Sequence, residues 1–346
     1  FFAFQVLPTI IFFASLMSVF YYLGIMQKIV QAMALVMAKV MGTSGAESLS
    51  CTANIFVGQT EAPLMIKPFI KGMTQSELLT IMIGGMATIA GGVMAAYIQM
   101  LGSAYAAAHG IPLIEAQQMF ATQLLGASVM AAPGAMMIGK ILIPETSESE
   151  TKGSVKVSIE KNSSNVIEAA ANGASDGLQL ALNVGAMLLA FIALIALINY
   201  LLNGLGDIVG LNNYLISNFG QPLSFQLMIG LVLQFVAYGI GVPWQDSLTF
   251  GSLLGTKVVL NEFVAYSDMG NLVQAGKLVN EKSILMATYA LCGFANFSSI
   301  AIQIGGLGPL APNRKSDIAA LGIKAVIGGV LTTLLTATLA GLFFSF

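Results

Sequence analysis

Long apolar runs alternate with short polar punctuation along this chain. A helix needs about 20 mostly apolar residues to cross the hydrocarbon of a bilayer. Six stretches qualify and predict spanning helices: Phe1 to Leu23, Leu78 to Leu101, Phe120 to Ile143, Leu178 to Leu202, Ile284 to Ile304 and Ala319 to Phe346. Gln27 to Met41 is amphipathic, with Lys28 and Lys39 among Met, Ala and Val, and is expected to lie in the interface. Leu223 to Ile240 is borderline between interfacial and spanning. Ala46 to Ile70 and Ser247 to Asp268 are apolar but broken near their middles by polar or small residues, which predicts re-entrant hairpins. Pro144 to Ser175, rich in Ser, Glu, Lys and Asn, is the one long hydrophilic connection.

Composition agrees. The 346 residues are 56% hydrophobic and 9% charged, with mean hydropathy +0.84, whereas a soluble domain carries roughly 25% charged residues. The chain is therefore expected to be an all-α polytopic membrane protein. The net charge of −2 says nothing about nucleic acid, but no basic stripe exists, and no nucleic-acid partner is expected. Cys51 and Cys292 sit in apolar segments and read as small buried hydrophobes. His109, beside a Gly-Ile-Pro turn, reads as a loop residue. Asp246 reads as a cap for the helix that follows it, and Lys257 as a residue that snorkels or pairs with a carboxylate. Asp207, Asn212 and Asn213 look like an exposed turn. The first residues, Phe1-Phe2-Ala3-Phe4, lie within an apolar run and lack an initiating Met, so an N-terminal portion is expected to precede them.

Two of the predicted spans contain small and polar breaks, at Gly84–Gly92 and at Gly293–Ser299. The second carries Asn296, Ser298 and Ser299, more polarity than close helix packing requires. In the first, packing and function are equally consistent with the residues. An internal repeat ties the pieces together. Asn54-Ile55-Phe56-Val57 matches Asn261-Glu262-Phe263-Val264, and Gly85-Met86-Ala87-Thr88 matches Gly293-Phe294-Ala295-Asn296, with 31 and 32 residues between the paired motifs. Each half then reads as spanning helix, interfacial helix, hairpin, broken helix, spanning helix. Three crossings per half make the second an inverted copy of the first, an arrangement suited to alternating access. With the 144–175 connection placed in the cytoplasm, eleven of the fourteen Lys and Arg residues fall on or near the inside; Lys257, Lys277 and Lys282 fall outside.

The most informative chemistry is Gly58-Gln59-Thr60-Glu61, an amide, a hydroxyl and a carboxylate at the predicted tip of the first hairpin. A carboxylate at bilayer depth is unfavourable by ~2.5–3.5 kcal/mol on insertion scales, and usually marks a pathway or site. Meeting tips and facing breaks would enclose a pocket lined by Gln59, Thr60, Glu61, Glu262, Asn296 and Ser299, with Phe294 and Val93 covering the faces of a flat ring. No basic residue accompanies these groups, which disfavours an anion. A neutral, polyhydroxylated or amide-like solute fits better, because a carboxylate accepts from adjacent hydroxyls and an amide both donates and accepts.

The strings Asn54–Pro63, Gly241–Asp246, Asn261–Tyr266 and Ala290–Ser299 resemble those of the concentrative nucleoside transporters, and the resemblance covers nearly the whole chain. It implies that family's fold, with its first two spanning helices missing here. It also implies a homotrimer in a bacterial inner membrane, and a mobile transport domain that moves like an elevator against a scaffold. The corresponding division places scaffold and interfacial helices in residues 1–44, transport-domain half one in 45–143, the connection with scaffold and interfacial helices in 144–242, and transport-domain half two in 243–346. Gln59, Thr60 and Glu61 would then address the nucleobase and Val93 would pack on it. Glu262, Asn296 and Ser299 would hold the ribose hydroxyls, with Phe294 against the nucleoside. A coupling sodium ion would use the side chains of Asn54 and Thr88 and the carbonyls of Val57 and Ile89; Thr88 replaces a more usual Ser, and both supply a hydroxyl. The expected function is sodium-coupled nucleoside symport, with proton coupling on the same fold as the alternative. An enzyme would need a nucleophile with its base or a metal cluster, and neither is visible. The inverted repeat with polar breaks favours a transporter over an ion channel.

Overall fold

The computed structural model describes residues 2–153 and 163–344. Fifteen α-helices make up these regions, and no strand occurs among the described residues. The first half comprises α1 (Phe2–Tyr22), α2 (Ile25–Met41), α3 (Gly45–Ala53), α4 (Lys67–Ile70), α5 (Gln75–Ala87), α6 (Gly91–His109) and α7 (Leu113–Leu142). The second comprises α8 (Val166–Ile208), α9 (Leu211–Phe219), α10 (Phe225–Gly239), α11 (Trp244–Val259), α12 (Glu262–Gln274), α13 (Glu281–Leu291), α14 (Phe297–Leu307) and α15 (Lys315–Phe343).

The halves follow one plan. Each opens with a long helix, α1 or α8, and these two pack along one another; Ser15 and Ser18 hydroxyls donate to the carbonyls of Ala170 and Ala169 at 2.8 and 2.7 Å. A bent segment follows: α2 turns 77° from α1, and α11 turns 119° from α10. Next comes a hairpin. The first runs down α3, through an irregular tip at 54–61, and back through a 3₁₀ turn (Ala62–Ile66) and α4. The second is α11 and α12, meeting at Leu260-Asn261. It begins earlier and ends later than the expected Ser247–Asp268 span. The broken spans follow as α5/α6 and α13/α14, and each half closes with an unbroken helix, α7 or α15.

Several elements depart from expectation. Asp207, Asn212 and Asn213 do not form a plain exposed turn. Asn212 is buried at the start of α9; its Nδ2 lies 2.6 Å from Asp207 Oδ1 and 2.9 Å from the Asn203 carbonyl, while its Oδ1 accepts from Leu223 N–H. Asp246 is not a cap: Pro243 precedes α11, no side chain caps it, and Asp246 is buried with Oδ2 lacking a donor. Lys257 neither snorkels nor pairs; it is fully buried, with Nζ donating to Ala290 O at 2.8 Å and Thr333 Oγ1 at 3.0 Å. It therefore leaves the count of outside charges. His109 ends α6, stacked on Tyr105 and 3.4 Å from Glu281. Lys156 and Lys161, counted as inside charges, lie outside the described residues, as do Phe1, Ser345 and Phe346.

One polar cluster gathers the base of the first hairpin, the start of α5 and the end of α7. Ser44 and Glu47 form a capping box on α3, and Glu47 Oε2 lies 2.9 Å from Lys140 Nζ. Lys140 also reaches Glu145 at 3.1 Å, while Thr151 accepts the backbone N–H groups of Gly45 and Ala46. Burial pushes the Glu145 carboxyl up, but hydrogen bonds from Thr74 and Lys140 and the Lys140 charge outweigh it and hold the group below its usual range. Arg314, pairing with Asp317 at 2.6 Å, also donates to the carbonyl of Met73. Lys140 and Arg314 thus converge on one face, together with the 144–153 loop.

Candidate functional site

Hairpin tips and helix breaks meet around a cavity of about 260 Å³. Gln59, Thr60 and Glu61 line it from the first tip and Glu262 from the start of α12. Val93 contributes from α6, Phe294 and Asn296 from the second break, and Ser299 from α14. All eight residues expected to meet a solute therefore share one space. Among the described residues no Lys, Arg or His lines it. Leu180 and Asn183 of α8 complete the wall, and neither was expected from sequence. Glu262 is 5% exposed, while Glu61 opens to solvent at the same cavity.

The second hairpin positions its carboxylate by a cap. Asn261 Oδ1 accepts from Val264 N–H at 2.9 Å, which starts α12 and sets Glu262 at its first turn, where the helix dipole favours negative charge. Glu262 Oε1 accepts from the Tyr97 hydroxyl at 2.8 Å and Oε2 from Asn296 Nδ2 at 3.2 Å. Asn296 in turn caps α14, its Oδ1 accepting from Ser299 N–H at 2.9 Å and Ser298 Oγ at 2.7 Å. One amide thus starts a helix and orients an acid. A carboxylate offers about four lone-pair sites, so two held positions leave acceptor capacity for hydroxyls in the cavity.

The first tip is tied across to the other half. Gln59 Nε2 donates to Ser299 Oγ at 3.3 Å, and Gln59 Oε1 accepts from Gln303 Nε2 at 3.1 Å. Gln303 also donates to the Met82 carbonyl at 2.9 Å. Gly85 makes room for this bridge: a Cβ there would stand 2.9 Å from Gln59 Cβ and 3.0 Å from Gln303 Nε2. Tyr97 and Gln303 escaped sequence reading because each lies in an ordinary apolar helix. The only signal was a hydrogen-bonding side chain with no aqueous face to occupy.

Asn54, Val57, Thr88 and Ile89 lie where the first tip meets the first break. Gly91 N–H donates to Phe56 O at 3.1 Å and joins the two segments. Asn54 is 1% exposed; its Nδ2 donates to Ser50 O at 3.0 Å, but its Oδ1 has no donor. Thr88 Oγ1 donates to Gly84 O at 2.9 Å, which leaves its lone pairs available. Among the described residues no cluster of three or more His, Cys, Asp or Glu can hold a metal ion.

A helical membrane protein whose two inverted halves enclose a shared polar cavity has the architecture of a transporter. The family comparisons make the class specific. The family model described as "Na+ dependent nucleoside transporter C-terminus" matches residues 123–341, and a "Nucleoside recognition" model matches residues 3–104. The chain is 49% identical over 345 residues to an uncharacterized transporter of Haemophilus influenzae, covering 99% of this chain and 76% of that protein. It is 46% identical to the nucleoside permease NupC of Helicobacter pylori, with 99% and 75% coverage. It is 41% identical to human sodium/nucleoside cotransporter 1, spanning 99% of this chain but only 51% of that longer protein. The solved structure of CNTnw in an inward-facing substrate-bound state superposes with TM-score 0.86 at 44% identity, covering 100% of this chain and 75% of that one. An outward-facing CNTnw variant gives 0.85. The chain belongs to the concentrative nucleoside transporter family and is a multi-pass membrane protein.

Proposed function

We propose that this protein is a sodium-driven symporter that carries nucleosides such as uridine into the cell across a bacterial inner membrane. The observation that carries the reading is the cavity itself. Its polar wall is made only of acids, amides and hydroxyls, and its acid Glu262 is held ready by Tyr97 and Asn296. In this reading Glu262, Asn296 and Ser299 take the ribose hydroxyls, and Gln59, Thr60 and Glu61 read the base edge. Val93 and Phe294 pack on the rings. The lack of a cationic lining residue favours uncharged nucleosides over nucleotides.

Sodium enters as the coupling substrate. Asn54 Oδ1, buried and without a donor, and the Thr88 hydroxyl are hard, neutral oxygens suited to a weakly held monovalent ion, and the carbonyls of Val57 and Ile89 would complete the set. An ion there would fix the first tip and so present Gln59, Thr60 and Glu61. A nucleoside meeting an already ordered tip binds more tightly, because it no longer bears the ordering free energy. The transport-domain segments 45–143 and 243–346 would move together past α1 and α8, as an elevator, in a homotrimer. The inward-facing, intermediate and outward-facing states described for CNTnw support alternating access in this family.

Uptake of labelled uridine into proteoliposomes tests the proposal. An inward sodium gradient should drive accumulation, and unlabelled nucleosides should compete. Accumulation that ignores sodium and follows a pH gradient would replace sodium with protons as the coupling ion. Indifference to every nucleoside would overturn the substrate reading.

A further inference from the structure

We infer that the Lys257 ammonium is a tethered counterpart, in the second hairpin, of the cation that the first hairpin takes from solution. The inference rests on the sodium site proposed above and concerns a residue outside it.

The repeat pairs Lys257 with Ser50, since each stands four residues before a matched asparagine, Asn261 and Asn54. It also pairs Ala290 with Met82, each three residues before a matched glycine, Gly293 and Gly85. In the second half, Lys257 Nζ donates to the Ala290 carbonyl at the C-terminal end of α13 and to Thr333 Oγ1. Ser50, the first-half counterpart of Lys257, is fully buried and its Oγ has no partner. One turn further along the same helix edge, Asn54 Oδ1 has none either. Their second-half counterparts are both engaged: Lys257 as described, and Asn261 Oδ1 with Val264 N–H.

Hydrogen bonding alone does not explain an ammonium at Lys257. The paired carbonyl of Met82 is served by the neutral amide of Gln303. A fully buried charge is strongly disfavoured unless its surroundings require it. Lys257 forms no ion pair within 4.0 Å among the described residues, so no direct carboxylate contact accounts for it. Positive charge is instead called for by the C-terminal end of α13, buried beside the tip, and by Glu262 five residues along the chain. The first half presents the same layout, a helix C-terminus at a break and a carboxylate in the tip, without a basic residue. There the charge has to arrive with the ion. Lys257 is thus a positioning residue: it completes the second tip permanently, while the Asn54 end of the first, beyond the Gln59 bridge, is completed only when sodium binds. Each protomer then needs one sodium per nucleoside.

The test is uridine binding to the purified full chain over a sodium titration, with choline as replacement. Wild type should show a Hill coefficient of about one, and Lys257→Ser about two, because the number of sites bounds the coefficient. Lys257→Arg, which keeps the charge, should behave as wild type. If Lys257→Ser binds uridine with wild-type affinity and a single-site sodium dependence, the inference is wrong and the sodium site stands. If wild type itself ignores sodium, the sodium reading fails and takes the inference with it. Should Lys257→Ser fail to assemble, Ser50→Lys decides. It should bind uridine without sodium as tightly as wild type does in saturating sodium, and a continued need for sodium would overturn the inference.

Discussion

The first hairpin leaves its face of the molecule through a Ser44–Glu47 capping box, with Lys140 bridging Glu47 and Glu145. The second starts after Pro243 with no side-chain cap, and its Asp246 carries an oxygen that meets no donor. At the tips the order reverses. Asn54 Oδ1 in the first tip is unmatched, whereas Glu262 in the second is held on both oxygens. The first hairpin is thus anchored at its base but keeps one unmatched amide oxygen, Asn54 Oδ1, at its tip, whereas the second is uncapped at its base and holds its tip carboxylate on both oxygens. Inverted repeats are often treated as equivalent halves. Here the shared backbone plan carries different electrostatics, and under the proposed function the Asn54 end of the first tip would take the ion while both tips would face the solute.

The sharpest way to break this comparison is Glu262→Gln. The amide keeps one acceptor oxygen but turns the other into a donor, so it cannot accept on both sides as the carboxylate does, and a site built around a hydrogen bond discriminates strongly when that bond is lost. Uridine uptake should fall by about three orders of magnitude, ~4 kcal/mol, while sodium-dependent stabilisation of the protein persists. Wild-type uptake kinetics would remove Glu262 from the solute. Next in size is the contrast between the two bases. Lys140→Met strands a buried Glu47 and should destabilise the protein by ~3 kcal/mol, the low end for a broken buried pair because Lys140 is partly exposed. Asp246→Asn should change stability by less than about 1 kcal/mol. Thermal unfolding in detergent compares them, and equal losses would erase the asymmetry.

Asn54→Ala should raise the sodium concentration for half-maximal uptake by about tenfold, ~1.4 kcal/mol, with uridine affinity at saturating sodium nearly intact. An unchanged sodium curve would move the ion elsewhere. The smallest effect concerns acid. The folded-state pKa of Glu145 lies below its ordinary value, so its contribution is fully present above that value and is lost as pH falls through the depressed one. Hydrogen exchange in α3 and at the start of α5, whose cap Thr74 donates to Glu145, should therefore quicken in that acid window. Glu145→Gln should exchange at the faster rate already at neutral pH and change little further.

The helix plan was legible because spanning segments need a minimum length and their interruptions are conspicuous. Both hairpins and both breaks were visible as polar or small residues inside apolar runs. The six polar cavity residues were found the same way, since Gln59, Thr60, Glu61, Glu262, Asn296 and Ser299 have no business in lipid without a task, while Val93 and Phe294 were placed only as apolar cover for a ring. What the sequence hid was mutual support. Tyr97 and Gln303 are single polar groups in helices that look merely apolar, and their partners are 165 and 244 residues away along the chain. Lys257 read as a side chain that snorkels or pairs with a carboxylate because nothing local shows that its ammonium ends on the Ala290 carbonyl. Asn212 read as a loop residue because its partners, Asn203, Asp207 and Leu223, are assembled only when α8, α9 and α10 meet.

Gly293 holds a φ of +141°, and a Cβ on it would stand 2.7 Å from the Met86 carbonyl oxygen and 2.8 Å from the Ala87 carbonyl carbon. Main chain therefore lies directly on main chain where the two interrupted spans cross. Such a joint has no slack, since no rotamer change is available to absorb a relative slide. Under the proposed elevator motion the crossing would travel as a welded axle, and the sliding would fall to the outer bearings against α1 and α8.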